Sequence, residues 1–215
     1  MRATCIVCLA VLAVAGVATR HAASIKTVAL SPLDVPDGLE NPEPVQALFD
    51  SLITSELVHA GLTVVPSREV GAIWRRLVDS VHGFYSPITG ERVQEKYDAV
   101  RTGTLRDLKE HFHADAWLRP RIQVVSVDYT GGKAYWDGAS EGAGSGTSGT
   151  VTALTLVVAL CDTTGSDIYI GRGGIQVLRK GSKEVSRDKL FKDTKRNLQA
   201  LHLAVDSLVA RAVRP

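Results

Sequence analysis

Gly144-Ser145-Gly146-Thr147-Ser148-Gly149 spells G-x-G-x-x-G, the spacing with which glycines let a dinucleotide pyrophosphate approach the free amides of a helix N-terminus. The residues that follow, Val151 to Leu160, are rich in β-branched side chains and predict a strand. A strand supplies no helix end, so residues 138–149 read as a flexible Gly/Ser-rich loop. His111-Phe112-His113 with Asp115 offers imidazoles and a carboxylate, donor types that suit zinc. On a helix, side chains two residues apart point about 200° apart and cannot share an ion. Thr104-Leu105-Arg106-Asp107 has capping-box spacing and opens a helix through about His113, which leaves both histidines at a solvated helix end. Asp34 with Asp37, and Glu40 with Glu43, are carboxylate pairs around a predicted helix start, where acids favour the dipole. No G-x-S-x-G, H-E-x-x-H or P-loop string occurs. No residue is assigned to catalysis, to a cofactor or to a metal.

Binding chemistry is better served by the stretch that begins at Trp117. Leu118, Pro120, Ile122 and Val124 alternate with Trp117, Arg119, Arg121 and Gln123, which describes a strand with one apolar and one polar face. Pro120 cannot donate a ladder hydrogen bond, so an edge position is expected. An edge strand that offers Trp117, Arg119, Arg121 and Gln123 is the candidate partner surface.

The elements around it follow from periodicity. Ile25 to Leu30 predicts a strand covered on both faces. Asn41-Pro42-Glu43 predicts a capped helix start, and Val45, Leu48, Phe49, Leu52, Ile53 and Leu57 give its stripe up to Gly61. Leu62 to Pro66 is a second strand. Ser67 is expected to cap a second helix bearing Val70, Ile73, Trp74, Leu77 and Val78. Strand, helix, strand, helix implies a right-handed crossover and parallel pairing. Gly83 to Gly103 reads as an excursion with a short helix around Arg92 to Val100. Thr130-Gly131-Gly132-Lys133 predicts a hairpin turn, and Thr163-Thr164-Gly165-Ser166 joins a second strand pair. Leu190 to Val209 carries the stripe of a long terminal helix. The expected fold class is α/β (α+β): a two-layer mixed sheet with a βαβα start, an antiparallel meander and a C-terminal helix packed on the sheet.

Met1-Arg2 followed by the apolar run Ile6 to Ala18 has the form of an export signal, too short for the roughly 20 apolar residues of a membrane span. Cleavage is expected after Ala23 or Ser24, with Ala18 as the alternative. That leaves 25–215 as one α/β domain without a membrane anchor, because Cys5 and Cys8 lie before or inside the apolar run, where no lipidation cysteine belongs. Loss of Arg2 and Arg20 leaves 23 basic residues against 23 acidic, a balance that argues against nucleic acid. Cys161 alone would remain, which excludes an internal disulfide and a thiolate zinc site. At the end of an apolar run it reads as a small buried filler.

Val28-Ala29-Leu30-Ser31-Pro32, the Leu57 to Val65 passage and Ala114-Asp115-Ala116-Trp117-Leu118 give this chain a pattern that resembles the amino-terminal domain of TolB. It is similar also to the globular domains of curli-secretion-channel and penicillin-binding-protein-activator lipoproteins. The resemblance implies a periplasmic adaptor, activator or assembly role without chemistry, and no catalytic residue belongs to it. The chain departs from those lipoproteins in lacking a lipidation cysteine and a long pore-forming hairpin. The expected function is a non-catalytic, periplasmic or secreted envelope module that engages a protein partner or self-associates. A small-molecule or lipid carrier and a hydrolase with a dispersed site are the alternatives.

Overall fold

The computed structural model describes residues 25–37, 39, 41–144, 146–180, 183–184 and 190–212, so the expected export segment lies outside the described residues. In chain order the elements are β1 (Thr27–Leu30), α1 (Glu43–His59), β2 (Thr63–Val65), α2 (Ser67–Ser80), α3 (Gln94–Phe112), β3 (Ala116–Thr130), β4 (Lys133–Trp136), β5 (Ala139–Gly142), β6 (Ser148–Asp162), β7 (Asp167–Lys180), β8 (Lys183–Glu184) and α4 (Thr194–Ala212). The sheet runs β2-β1-β3-β6-β7-β8, with β4 and β5 attached beyond β3. β1 pairs in parallel with β2 and β3, and β3, β6 and β7 are antiparallel. This is the mixed α/β architecture with a βαβα start that the periodicity predicts. No helix among the described residues is long and apolar enough to cross a membrane.

The two faces of the sheet are covered differently. Leu118 and Ile122 of β3 lie beside Leu160 and Leu156 of β6 on one face, against Phe49, Ile53 and Leu57 of α1 and Ala200, Leu201, Ala204 and Val205 of α4. A T-shaped contact between Phe49 and Phe191, with ring centroids 6.2 Å apart, contributes about 0.5–1.5 kcal/mol beyond burial. α4 lies close over β7. A Cβ on Gly171 or Gly173 would sit inside the carbonyl oxygens of Ala204 and Ala200, and the Tyr169 hydroxyl donates to the Ala204 carbonyl at 2.7 Å. Small residues on both elements make this approach possible.

On the opposite face two separate covers leave a gap. α2 and α3 bury Trp117, Cys161, Ala29 and Val65 at one end. At the other end β4–β5 curls back over Val125, Val127, Val151, Ala153 and Val177, with Trp136 at its centre. Trp136 donates its indole N–H to the Leu154 carbonyl at 3.2 Å. Gly174 clears space for it, since a Cβ there would come within 2.7 Å of the indole nitrogen.

Several local expectations are corrected. Residues 138–149 are not a loop between strands: they contain β5 and the start of β6, and Ala143 is buried. The expectation failed because Ala139 and Ala143, short as their side chains are, join the cluster around Trp136. The glycines of the G-x-G-x-x-G string lead into β6, a strand.

The excursion and the two expected helices around it are likewise different, for α3 runs unbroken from Gln94 to Phe112. Gly103, the expected end of the excursion, is the point inside the helix where Leu77 of α2 packs. Thr104 is no cap. It is buried inside the helix, its hydroxyl bonded to the Val100 carbonyl at 2.8 Å. Asp107, read as the capping acid, is buried and clasps the two helices, accepting from Arg76 of α2 and, at 3.0 Å, from Arg106. Neither Asn41 nor Ser67 caps its helix through its side chain, the cap positions being Pro42 and Pro66. Gly61 ends α1 in the left-handed region, φ +80°, as its residue type demands.

The β6–β7 turn holds a further ionisable group. Asp162 Oδ1 accepts from the Thr164 amide at 2.9 Å, from its hydroxyl at 2.6 Å and from the Ser166 amide at 3.0 Å. The Thr164 hydroxyl holds this carboxyl below the usual aspartate range; burial opposes it, and the backbone amides of the turn add to the lowering. The contribution is present above the unfolded pKa, about 3.9, and is lost as pH falls through the lower folded value. Melting curves of wild type and Asp162→Asn are expected to differ at neutral pH and to converge in acid; parallel curves throughout would contradict this.

Candidate functional site

Where Pro120 lies, β3 is not at an edge: from Ala116 to Ile122 its side away from β6 is taken by β1 and the Ser31–Asp34 segment. The edge expectation drawn from Pro120 fails for a local reason. Leu118, Pro120 and Ile122 direct their backbone groups toward Ser31–Asp34, with Ser31 N–H bonded to Leu118 O, Asp34 N–H to Pro120 O and Ile122 N–H to Asp34 O. Leu30 faces Leu118 and Asp34 faces Arg121, so this side carries one residue more than β3. The missing N–H of Pro120 falls at that irregularity.

The four predicted residues share one face of β3 but have different surroundings. Trp117 is only 4% exposed, so it is core and not partner surface. Its indole N–H donates to Ser31 Oγ at 2.7 Å, and its ring lies 5.9 Å from that of Trp74. Sequence alone could not show that α2 and α3 cover this end of the face. Cys161 lies beside it, buried as expected, and burial pushes its thiol pKa up.

Arg119 is half-covered. Its guanidinium sits 5.5 Å from the Trp117 ring centre and donates to Asp167 at 2.6 Å, while its Nε is buried without a hydrogen bond. Arg121 is exposed and has no hydrogen bond or ion pair from its side chain among the described residues. Gln123 is half-buried.

The sheet register adds residues that sequence reading missed. Arg121 lies opposite Val157 of β6, and Val157 lies opposite Arg172 of β7. Arg172 therefore shares this face with Arg119 and Arg121, and it pairs with Asp137 at 3.0 Å. Asp137 also accepts from the Thr155 hydroxyl at 2.8 Å. The result is an arginine window between the α2–α3 cover and the β4–β5 hairpin, floored by the buried Val157. Arg119 and Arg172 each meet one carboxylate, which leaves Arg121 as the uncompensated charge.

Guanidinium groups are permanently charged forks suited to carboxylate or phosphate oxygens, and they do not serve as bases at neutral pH. The window can therefore hold an anionic group. His111 and His113 lie apart from it at the end of α3. His111 Nδ1 is 3.0 Å from the Asp107 carbonyl, and His113 closes the helix in the left-handed conformation. Asp115 instead accepts from the amides of Lys26 and Thr27, both at 2.9 Å, and ties the entry of β1 to that of β3.

Fold and site thus define a mixed α/β module with an arginine-lined sheet face. No family model matches the chain, and no curated protein matches it. Among solved structures it is similar to the lipoprotein GNA1162 from Neisseria meningitidis, at 17% identity over 75% of this chain and 88% of that one, with a TM-score of 0.38. It is similar also to the hypothetical protein CT253 from Chlamydia trachomatis, at 16% identity over 87% of this chain and 93% of that one, TM-score 0.37. A protein from Helicobacter pylori described as a neuraminyllactose-binding hemagglutinin homolog matches at 12% identity over 87% of this chain and 84% of that one, TM-score 0.34.

Proposed function

We propose that this chain is an exported, non-catalytic binding module of a bacterial-type cell envelope, which engages an acidic segment of a protein partner through the arginine window. The supporting observation is Arg121. It is an exposed guanidinium without a carboxylate partner, held on a rigid sheet between two neighbours of the same sign whose charges are already met. A partner carboxylate placed there gains a charge-assisted, bidentate contact. The export reading rests on the apolar run Ile6 to Ala18 and the small residues after it.

Capture from envelope extract by wild type and by Arg121→Glu tests the reading. The variant is expected to lose the captured partner while its melting temperature stays within the effect of an ordinary surface change, about 0.5 kcal/mol. Equal capture by both proteins would retire the window as the binding face.

A further inference from the structure

From Ile168 to Gly173, β7 has no strand on its outer side among the described residues; β8 pairs only at Arg179 and Lys180. We propose that this edge is a self-association surface at which two copies of the chain pair antiparallel about Ile170, extending the sheet from one copy into the other. The edge borders the arginine window, since Arg172 and the Asp167 that meets Arg119 both lie on it, but the backbone pairing does not use Arg121, the residue on which the partner reading rests.

Hydrogen-bond phase fixes the register. Gly174 N–H points away from β6, because the Asp137 carbonyl of the curled hairpin receives it at 2.9 Å. Pairing between β6 and β7 is regular from Tyr169 to Gly174, and backbone groups of an antiparallel strand alternate sides. Arg172 and Ile170 therefore also turn their N–H and C=O outward, where no strand among the described residues meets them. A second copy centred on Ile170 can exchange two hydrogen bonds between the two Ile170 residues, flanked by Arg172 opposite Ile168. An interface that is its own complement closes as a dimer with two-fold symmetry.

Side chains agree with this register. Ile168 and Ile170 are 42% and 58% exposed, β-branched residues at an open edge that carries no lysine or proline to block pairing. The two Ile170 side chains would lie directly opposite each other. Asp167 stands at one end of the segment and Arg172 at the other, so an antiparallel second copy brings the acid of each chain toward the arginine of its mate, beside the Arg119 and Asp137 that these residues already meet within their own chain. An extended segment of another protein would need the same charge order in reverse. A second copy supplies it without further assumption. The hairpin turn at Asp137 limits the pairing at the Gly174 end, which keeps the contact short and the complex closed rather than fibrous.

Sedimentation equilibrium of the full chain is expected to show a concentration-dependent dimer that Ile170→Lys abolishes. Arg172→Asp and Asp167→Arg are each expected to weaken the dimer, since each sets like charges together at both ends, and mixing these two variants should restore it as a heterodimer. Circular dichroism melts check that each variant is folded. Amide exchange on the wild type needs no substitution: protection at Ile170 and Arg172 should rise with protein concentration. A monomer at every concentration, a dimer indifferent to Ile170→Lys, or amides at Ile170 and Arg172 whose exchange ignores concentration would each overturn the proposal.

Discussion

Replacing Gly171 by alanine is expected to lower stability by about 3 kcal/mol or more. The added methyl has nowhere to go. It would meet the Ala204 carbonyl of α4, which is helix backbone and cannot rotate aside as a long side chain could. α4 must lift from β7, and the Tyr169 hydroxyl then loses its acceptor as well. Gly173→Ala should behave alike, since its methyl meets the Ala200 carbonyl one helical turn away. Gly142→Ala is the control, because no atom lies within 4 Å of a Cβ there, and its effect should stay within about 0.5 kcal/mol. Denaturant titration of the three variants measures this directly; three equal shifts would show that α4 is not held by close approach.

Trp117→Ala is expected to cost about 3–5 kcal/mol, the range for removing a buried aromatic. Its ring fills the junction of β3 with α2 and supports the Arg119 guanidinium above it. Trp117→Phe keeps much of the volume but leaves Ser31 Oγ without its donor, and should cost about 1 kcal/mol for the hydrogen bond in addition to the lost volume. The contrast with Arg121→Glu is the informative one. Trp117 is expected to act through stability and Arg121 through binding, although both side chains leave the same strand on the same face. A Trp117→Ala protein as stable as wild type would mean that α2 and α3 do not cover this end of the sheet.

Elements whose character depends on their own residues were legible before any coordinates. The Phe49, Ile53 and Leu57 stripe specifies α1, and Gly61 can take the positive φ that stops it. The two-residue period after Asp115 specifies β3, and Thr130 to Lys133 turns it into β4. Misreadings arose where a residue answers to a distant neighbour. The excursion was expected to run to Gly103 because the Leu77 contact that uses the missing side chain of Gly103 lies on another helix. Asp107 looked like a capping acid because Arg76 is 31 residues away in sequence.

The residue types and their alternation determined by themselves that this chain makes a mixed α/β fold with a parallel start, an antiparallel meander and a closing helix. They also put Trp117, Arg119, Arg121 and Gln123 on one side of one strand. Which of those four meets solvent was decided only in three dimensions, where α2 and α3 cover Trp117, Asp167 reaches Arg119 and Arg121 is left open. Tertiary register likewise brought Arg172 into the window, covered the Pro120 end of β3 and left β7 open from Ile168 to Gly173. A periodic pattern records which side of a strand a residue takes, because that is local backbone geometry. What lies over that side depends on contacts between segments far apart in sequence, which no single segment encodes.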